Sequence, residues 1–119
     1  MLTALSSMAE YSQRILDLFI AKNVNKYGIY CVKLCFNGEW VAVTVDDFFP
    51  CKKDPNSDKF FPCFTKADGN ELWVMILEKA YAKLYGCYLN IEGLNGPQIF
   101  ADLTGAFACT YVADRIFYM

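Results

Sequence analysis

Apolar and polar residues alternate most regularly between Tyr27 and Asp47, and this stretch predicts a β-hairpin. Asn37-Gly38 is the dipeptide most typical of a two-residue type I′ turn, because both residues tolerate positive φ. The turn sets a register of Phe36 with Glu39, Leu34 with Val41, Val32 with Val43 and Tyr30 with Val45. One face then collects Tyr30, Val32, Leu34, Phe36, Val41, Val43 and Val45, and belongs on a core. The other face carries Cys31, Lys33, Cys35, Trp40, Ala42 and Thr44, a mixture that suits solvent or another part of a larger protein.

A period of 3.6 replaces the period of 2 from Asn70 to Tyr85. Trp73, Ile76, Leu77, Ala80, Tyr81 and Leu84 form one apolar stripe, with Glu78, Lys79 and Lys83 away from it. Asn70 is a good N-cap, Glu71 puts a negative charge in the first turn, and Gly86 is a stop signal. Met1 to Ala21 also reads as helical, with Leu2, Leu5, Met8 and Ala9 near one face. A break near Tyr11 and Ser12 would let Ser12 cap a second helix bearing Ile15, Leu18 and Phe19. Pro97 to Leu103 suits a short helix with proline in its first turn. From Phe107 to Met119 the chain is apolar without a clear pattern.

Between the hairpin and the long helix lies a connection with Pro50, Pro55 and Pro62. Its stretch Lys52 to Lys59 is polar and predicts a mobile surface loop. Phe48-Phe49 and Phe60-Phe61 are unusually apolar for a loop, and either pin it to the core or touch a neighbouring segment. Neither repeats nor low-complexity stretches interrupt this order. The expected class is α+β, with helices packed on a β-hairpin.

Composition narrows the function. The 119 residues suit one small domain, and 55% hydrophobic with 17% aromatic residues excludes a disordered segment. A net charge of −2 with no dense Lys/Arg run makes nucleic acid an unsuitable partner. No stretch of about 18 apolar residues exists to form a membrane span, and the N-terminus does not read as a signal peptide. Cys31, Cys35, Cys51, Cys63, Cys87 and Cys109 form no Cys-x-x-Cys pair, and free buried thiols in a reducing, cytoplasmic setting are expected.

The chain contains no histidine. A cysteine or serine nucleophile activated by histidine therefore has no base here. No Ser-x-x-Lys spacing and no glycine-rich phosphate loop appears. Asp46-Asp47 ends a strand, where paired carboxylates either bind metal or cap the strand and start the turn. The second reading needs fewer partners. Trp40 and Trp73 read as packing residues before they read as a binding platform.

Several segments together resemble the catalytic domain of the calpain family of cysteine proteases. Asn70-Glu71-Leu72-Trp73 running on to Leu77-Glu78-Lys79-Ala80-Tyr81-Ala82-Lys83 is similar to the family's Asn-Glu-Phe-Trp…Leu-Leu-Glu-Lys-Ala-Tyr-Ala-Lys helix. Gly38-Glu39-Trp40-Val41, Val45-Asp46-Asp47 and Pro50 resemble its hairpin. Gly86-Cys87-Tyr88, Glu92-Gly93 and Asp102-Leu103-Thr104-Gly105 resemble its downstream run. Residues 2 to 106 are covered.

The resemblance implies a partial papain-like fold, with residues 1–119 forming a fragment of the first lobe. Leu2 to Glu10 is similar to the residues just after the family's nucleophile. That cysteine would then precede Met1, and the catalytic histidine and asparagine would lie beyond Met119. No catalytic residue is expected among these 119. Glu71 matches a glutamate that ligates calcium in calcium-dependent members, where the other ligands lie upstream. The alternative for Glu71 is a carboxylate favoured by the helix dipole. No cofactor is expected in this chain alone, and calcium only in an intact relative. The implied activity is calcium-dependent, cysteine-type endoproteolysis of protein substrates, with this chain inactive by itself. The alternative is a non-catalytic module that binds a partner protein through the hairpin's Trp40 face and the Phe-rich loop.

Overall fold

A computed structural model describes residues 1–69 and 71–111. Asn70, with the cap expected of it, and residues 112–119 lie outside them. The described chain is α+β. Its elements are α1 (Leu2–Ala9), α2 (Ser12–Leu16), β1 (Ile29–Phe36), β2 (Glu39–Asp46), β3 (Cys51–Lys53), β4 (Phe60–Pro62), α3 (Trp73–Tyr85), α4 (Tyr88–Glu92) and α5 (Gly96–Thr104).

The β1–β2 hairpin has the register that its turn dictates, from Phe36 opposite Glu39 to Ile29 opposite Asp46. Asn37 and Gly38 both take positive φ, at 52° and 84°, as a type I′ turn requires. Tyr30, Val32, Leu34, Val43 and Val45 are buried on the core face, while Val41 near the turn stays exposed. α3 covers that face with Ile76, Leu77, Ala80 and Tyr81. α1 adds Leu5 and Met8, and α5 adds Ile99 and Leu103. Full burial of side chains of this size contributes about 1.5–3 kcal/mol each.

The N-terminal stretch breaks where Tyr11 and Ser12 predict it. Ser12 begins α2 but makes no side-chain cap bond, and α2 ends at Leu16. Leu18 and Phe19 therefore leave the helix and run along β1. Ile20 N donates to Cys31 O at 2.9 Å, and Lys33 N donates to Leu18 O at 2.8 Å. Phe19 forms a bridge with Val32. α5 is one residue longer at each end than Pro97 to Leu103. The Asn95 side chain caps it by accepting from Gln98 N, and Gly105 ends it in the left-handed region.

Of the stretch Lys52 to Lys59, Lys52 and Lys53 belong to β3, and residues 54–59 form the surface turn that its polarity predicts. β3 and β4 pair antiparallel, with Cys51 opposite Pro62 and Lys53 opposite Phe60. The Asp54 carboxylate organises the turn, accepting from Asn56 N at 2.9 Å and from Ser57 Oγ at 2.7 Å. The polar composition follows from the exposure of this hairpin, whose turn is held by the Asp54 carboxylate. Of the Phe pairs, Phe49 packs on the core, whereas Phe48, Phe60 and Phe61 are exposed.

Candidate functional site

Glu71 lies on the turn that leads into α3. Its N–H donates to Asp68 O at 3.1 Å, and the first helical bond runs from Ile76 N to Leu72 O. The turn thus holds Glu71 two residues before Trp73, outside the helix's first turn where the sequence pattern put it. Its carboxylate accepts a hydrogen bond from Trp73 Nε1 at 3.1 Å. Glu71, Lys22, Phe19 and Trp73 line a cleft of about 390 Å³ between α2 and the start of α3.

That cleft supplies one carboxylate. Among the described residues, no group of three or more His, Cys, Asp or Glu side chains is gathered to hold a metal ion. Calcium takes six to eight oxygens. The donor set that the described residues provide does not make a calcium site by itself.

Asp46 and Asp47 do not act as a pair. Asp46 Oδ1 accepts from Phe48 N at 2.9 Å and from Lys79 Nζ, which also donates to Phe48 O. The Lys79 hydrogen bond, seconded by the Phe48 N–H, holds the Asp46 carboxyl below the usual carboxylate range. Lys79 also lies over the Phe49 ring, 5.4 Å from its centre. The cluster ties the end of β2 to the middle of α3. Asp47 instead sits over Gly28, whose φ is +63°. A Cβ there would fall 2.4 Å from Asp47 Oδ1. Asp46 thus takes the turn role at the end of β2, while Asp47 lies close against Gly28.

The cysteines are free thiols, as their spacing implies, but only Cys35 is buried. Cys31 and Cys63 are half-buried, and Cys51, Cys87 and Cys109 are exposed. The expectation of buried thiols fails because Cys51 lies on the small exposed hairpin, while Cys87 and Cys109 lie outside the helical stripes. Trp73 packs against the core. Trp40 packs on Gly105 with one side of its ring and is otherwise exposed.

The most elaborate polar site is one that pattern reading passes over. Asp102 on α5 is only 1% exposed. Its Oδ2 accepts from Tyr81 Oη and from Tyr85 Oη, the latter at 2.6 Å, and its Oδ1 accepts from Gln98 Nε2 at 2.7 Å. Burial, and then the Asp102 carboxylate, push the Tyr81 hydroxyl well above its ordinary pKa. The same causes in the same order raise Tyr85 to about 12. Tyr81 and Tyr85 are spaced i, i+4 on α3, and Gln98 and Asp102 are spaced i, i+4 on α5. A signal was present, since Ile99, Asp102 and Leu103 share one helical face.

With this geometry in place, comparison with known proteins gives a consistent result. Residues 1–116 match the family model described as calpain family cysteine protease. The chain is 47% identical over 104 residues to the calpain-type cysteine protease DEK1 of Zea mays, covering 87% of this chain and 5% of that protein. The DEK1 protein of Arabidopsis thaliana is 43% identical over the same length. The calpain-2 catalytic subunit of Homo sapiens is 36% identical over 114 residues, covering 93% of this chain and 16% of that protein. This chain belongs to the calpain family of cysteine proteases. It spans a small fraction of the length of these relatives.

Proposed function

We propose that these 119 residues are part of the first lobe of a calpain-type catalytic domain with a papain-like fold, and that they supply scaffold rather than reacting groups. The observation that carries this reading is the family match over residues 1–116 in a sequence with no histidine. In a complete relative, a cysteine thiolate attacks the peptide carbonyl and forms an acyl-enzyme that water then hydrolyses. The present residues contribute packing to that reaction. α1 buries Ala4, Leu5 and Met8 and so fixes its start against the core. The Asp102 cluster and the Lys79 clamp lock α3 to α5 and to β2.

Glu71 is proposed as one calcium ligand of such a domain, with the remaining oxygens coming from outside this chain. The six free thiols favour a reducing, intracellular setting. The purified chain is expected to give no turnover of a fluorogenic peptide, with or without millimolar calcium. Titration calorimetry is expected to show no calcium binding tighter than about millimolar, as for a single carboxylate. Turnover that persists in preparations freed of contaminating proteases and disappears on thiol alkylation would sink the proposal.

A second reading rests on exposed aromatics: Phe48 is 81% exposed and Trp40 50% exposed. Under it the chain is a non-catalytic module that binds a partner protein. Cooperative thermal unfolding of the isolated 119 residues favours the module, and molten or aggregating behaviour favours the fragment.

A further inference from the structure

The two strands of the main hairpin differ at their outer edges. The two-residue turn makes Phe36 and Glu39 a mutually hydrogen-bonded pair, as are Leu34 with Val41, Val32 with Val43 and Tyr30 with Val45. The residues between them turn their N–H and C=O groups outward. On β1 these outward groups are engaged by the Leu18–Ile20 stretch, through Cys31 O and Lys33 N. On β2 the outward residues are Trp40, Ala42, Thr44 and Asp46. Among the described residues, the partner found for this edge is Lys83 Nζ, which donates to Thr44 O at 2.7 Å. Six of the eight β2 residues are exposed. The strand also lacks the proline, lysine or bulge that commonly guards an edge.

We propose that the β2 edge pairs antiparallel with the β2 edge of a second copy of this chain, about a two-fold axis through Ala42. Hydrogen-bond parity admits this register. Ala42 meets Ala42 of the second copy, and Trp40 meets Thr44 of the second copy, so outward groups meet outward groups. Thr44 O keeps Lys83, since a carbonyl accepts two hydrogen bonds. The axis falls on a small side chain, and Val41 lies opposite Val43 of the second copy.

Charge and cover argue for a copy over an unrelated strand. α3 lies over the C-terminal half of β2, where Val43 and Val45 are buried, and leaves Val41 37% exposed. The two-fold brings the other copy's α3 towards that uncovered half. It also brings the other copy's Lys83 beside Glu39, twice by symmetry. No like charges face each other across the seam.

Sedimentation velocity on the 119-residue chain over a wide concentration range tests this. A monomer–dimer equilibrium is expected. Ala42→Pro removes two seam hydrogen bonds per dimer and none within the hairpin, because the Ala42 N–H faces outward. It is expected to weaken the dimer about tenfold to a hundredfold. Glu39→Lys is expected to weaken it as well, and Glu39→Lys with Lys83→Glu to restore it. A chain that stays monomeric at the highest concentration overturns the proposal, as does a dimer indifferent to Ala42→Pro. If Ala42→Pro fails to fold by circular dichroism, the charge exchange decides, and failure of the double variant to restore the dimer overturns the register. Destabilisation of a strict monomer by Ala42→Pro would instead place a segment of the same chain on this edge.

Discussion

Two aspartates tie this molecule together, and they do so under opposite conditions. Asp102 is sealed between α3 and α5, where three donors converge on it. Asp46 lies exposed at the end of β2, where Lys79 and one backbone N–H hold it. Both bridge elements distant in sequence. The difference lies in what replaces them when they are lost. Water reaches the partners of Asp46 at once. Of the partners of Asp102, Tyr81 is shut away, whereas Tyr85 is half-buried and Gln98 exposed, so the desolvation cost of a donor left without an acceptor falls chiefly on Tyr81.

Substitutions sharpen this contrast. Asp102→Ala strands the buried Tyr81 hydroxyl and leaves Tyr85 and Gln98 to pair with water, and is expected to cost about 2–4 kcal/mol by urea or thermal denaturation. A loss below about 1 kcal/mol would mean that water enters the cluster and that the two sites are alike. Tyr81→Phe removes one donor and leaves the acceptor two others. The expected loss is about 1–2 kcal/mol. Tyr85→Phe, nearer the surface, is expected to cost less than Tyr81→Phe.

The pH dependence separates the sites by direction. Both tyrosines have raised pKa values in the fold, so their contribution is complete below the unfolded value of about 10. Stability is then lost as pH rises from about 10 through the folded value near 12 for Tyr85. Asp46 is depressed, so its contribution is present above its ordinary value of 3.8 and lost as pH falls below it. Thermal melts of the wild type across both ranges check the pair of signs. Tyr85→Phe is expected to flatten the alkaline limb and leave the acid limb unchanged.

Lys79→Met is expected to have the smallest effect. It breaks the clamp but keeps the aliphatic stem over Phe49. The melting shift should be well under half that of Tyr81→Phe, and should shrink further at high salt because the partner carboxylate is exposed. A shift as large as that of Asp102→Ala would show that the clamp, and not the buried cluster, holds α3 in place.

Legibility in the sequence followed distance along the chain. The hairpin register was fixed by Asn37-Gly38, which set every pair within nine residues on either side. The α3 stripe was readable because helical spacing is a local property: Ile76, Leu77, Ala80 and Tyr81 are buried as the period names them, Trp73 and Leu84 are partly buried, and Met75 and Ala82 are buried beside them. Calpain membership was legible in the same segments, because α3 and the hairpin carry the family's motifs. The surface turn at residues 54–59 was legible from its polarity, but the short β3 and β4 strands that flank it were not, because three residues carry too little alternation to read.

The sequence by itself determined the main hairpin and its register, the long helix with its apolar face, the thiols without close spacing and the absence of a histidine base. Those depend on neighbours a few residues apart or on composition. Tertiary structure decided the rest. It moved Glu71 onto a turn before α3, separated Asp46 from Asp47, closed the β1 edge with Leu18–Ile20 and, among the described residues, left the β2 edge with Lys83 as its partner. It also gathered Tyr81, Tyr85 and Gln98 around the buried Asp102. Each of these depends on which surface meets which. Tyr81 and Asp102 stand 21 residues apart, and only the packing of α5 on the core brings this donor and its acceptor out of water together.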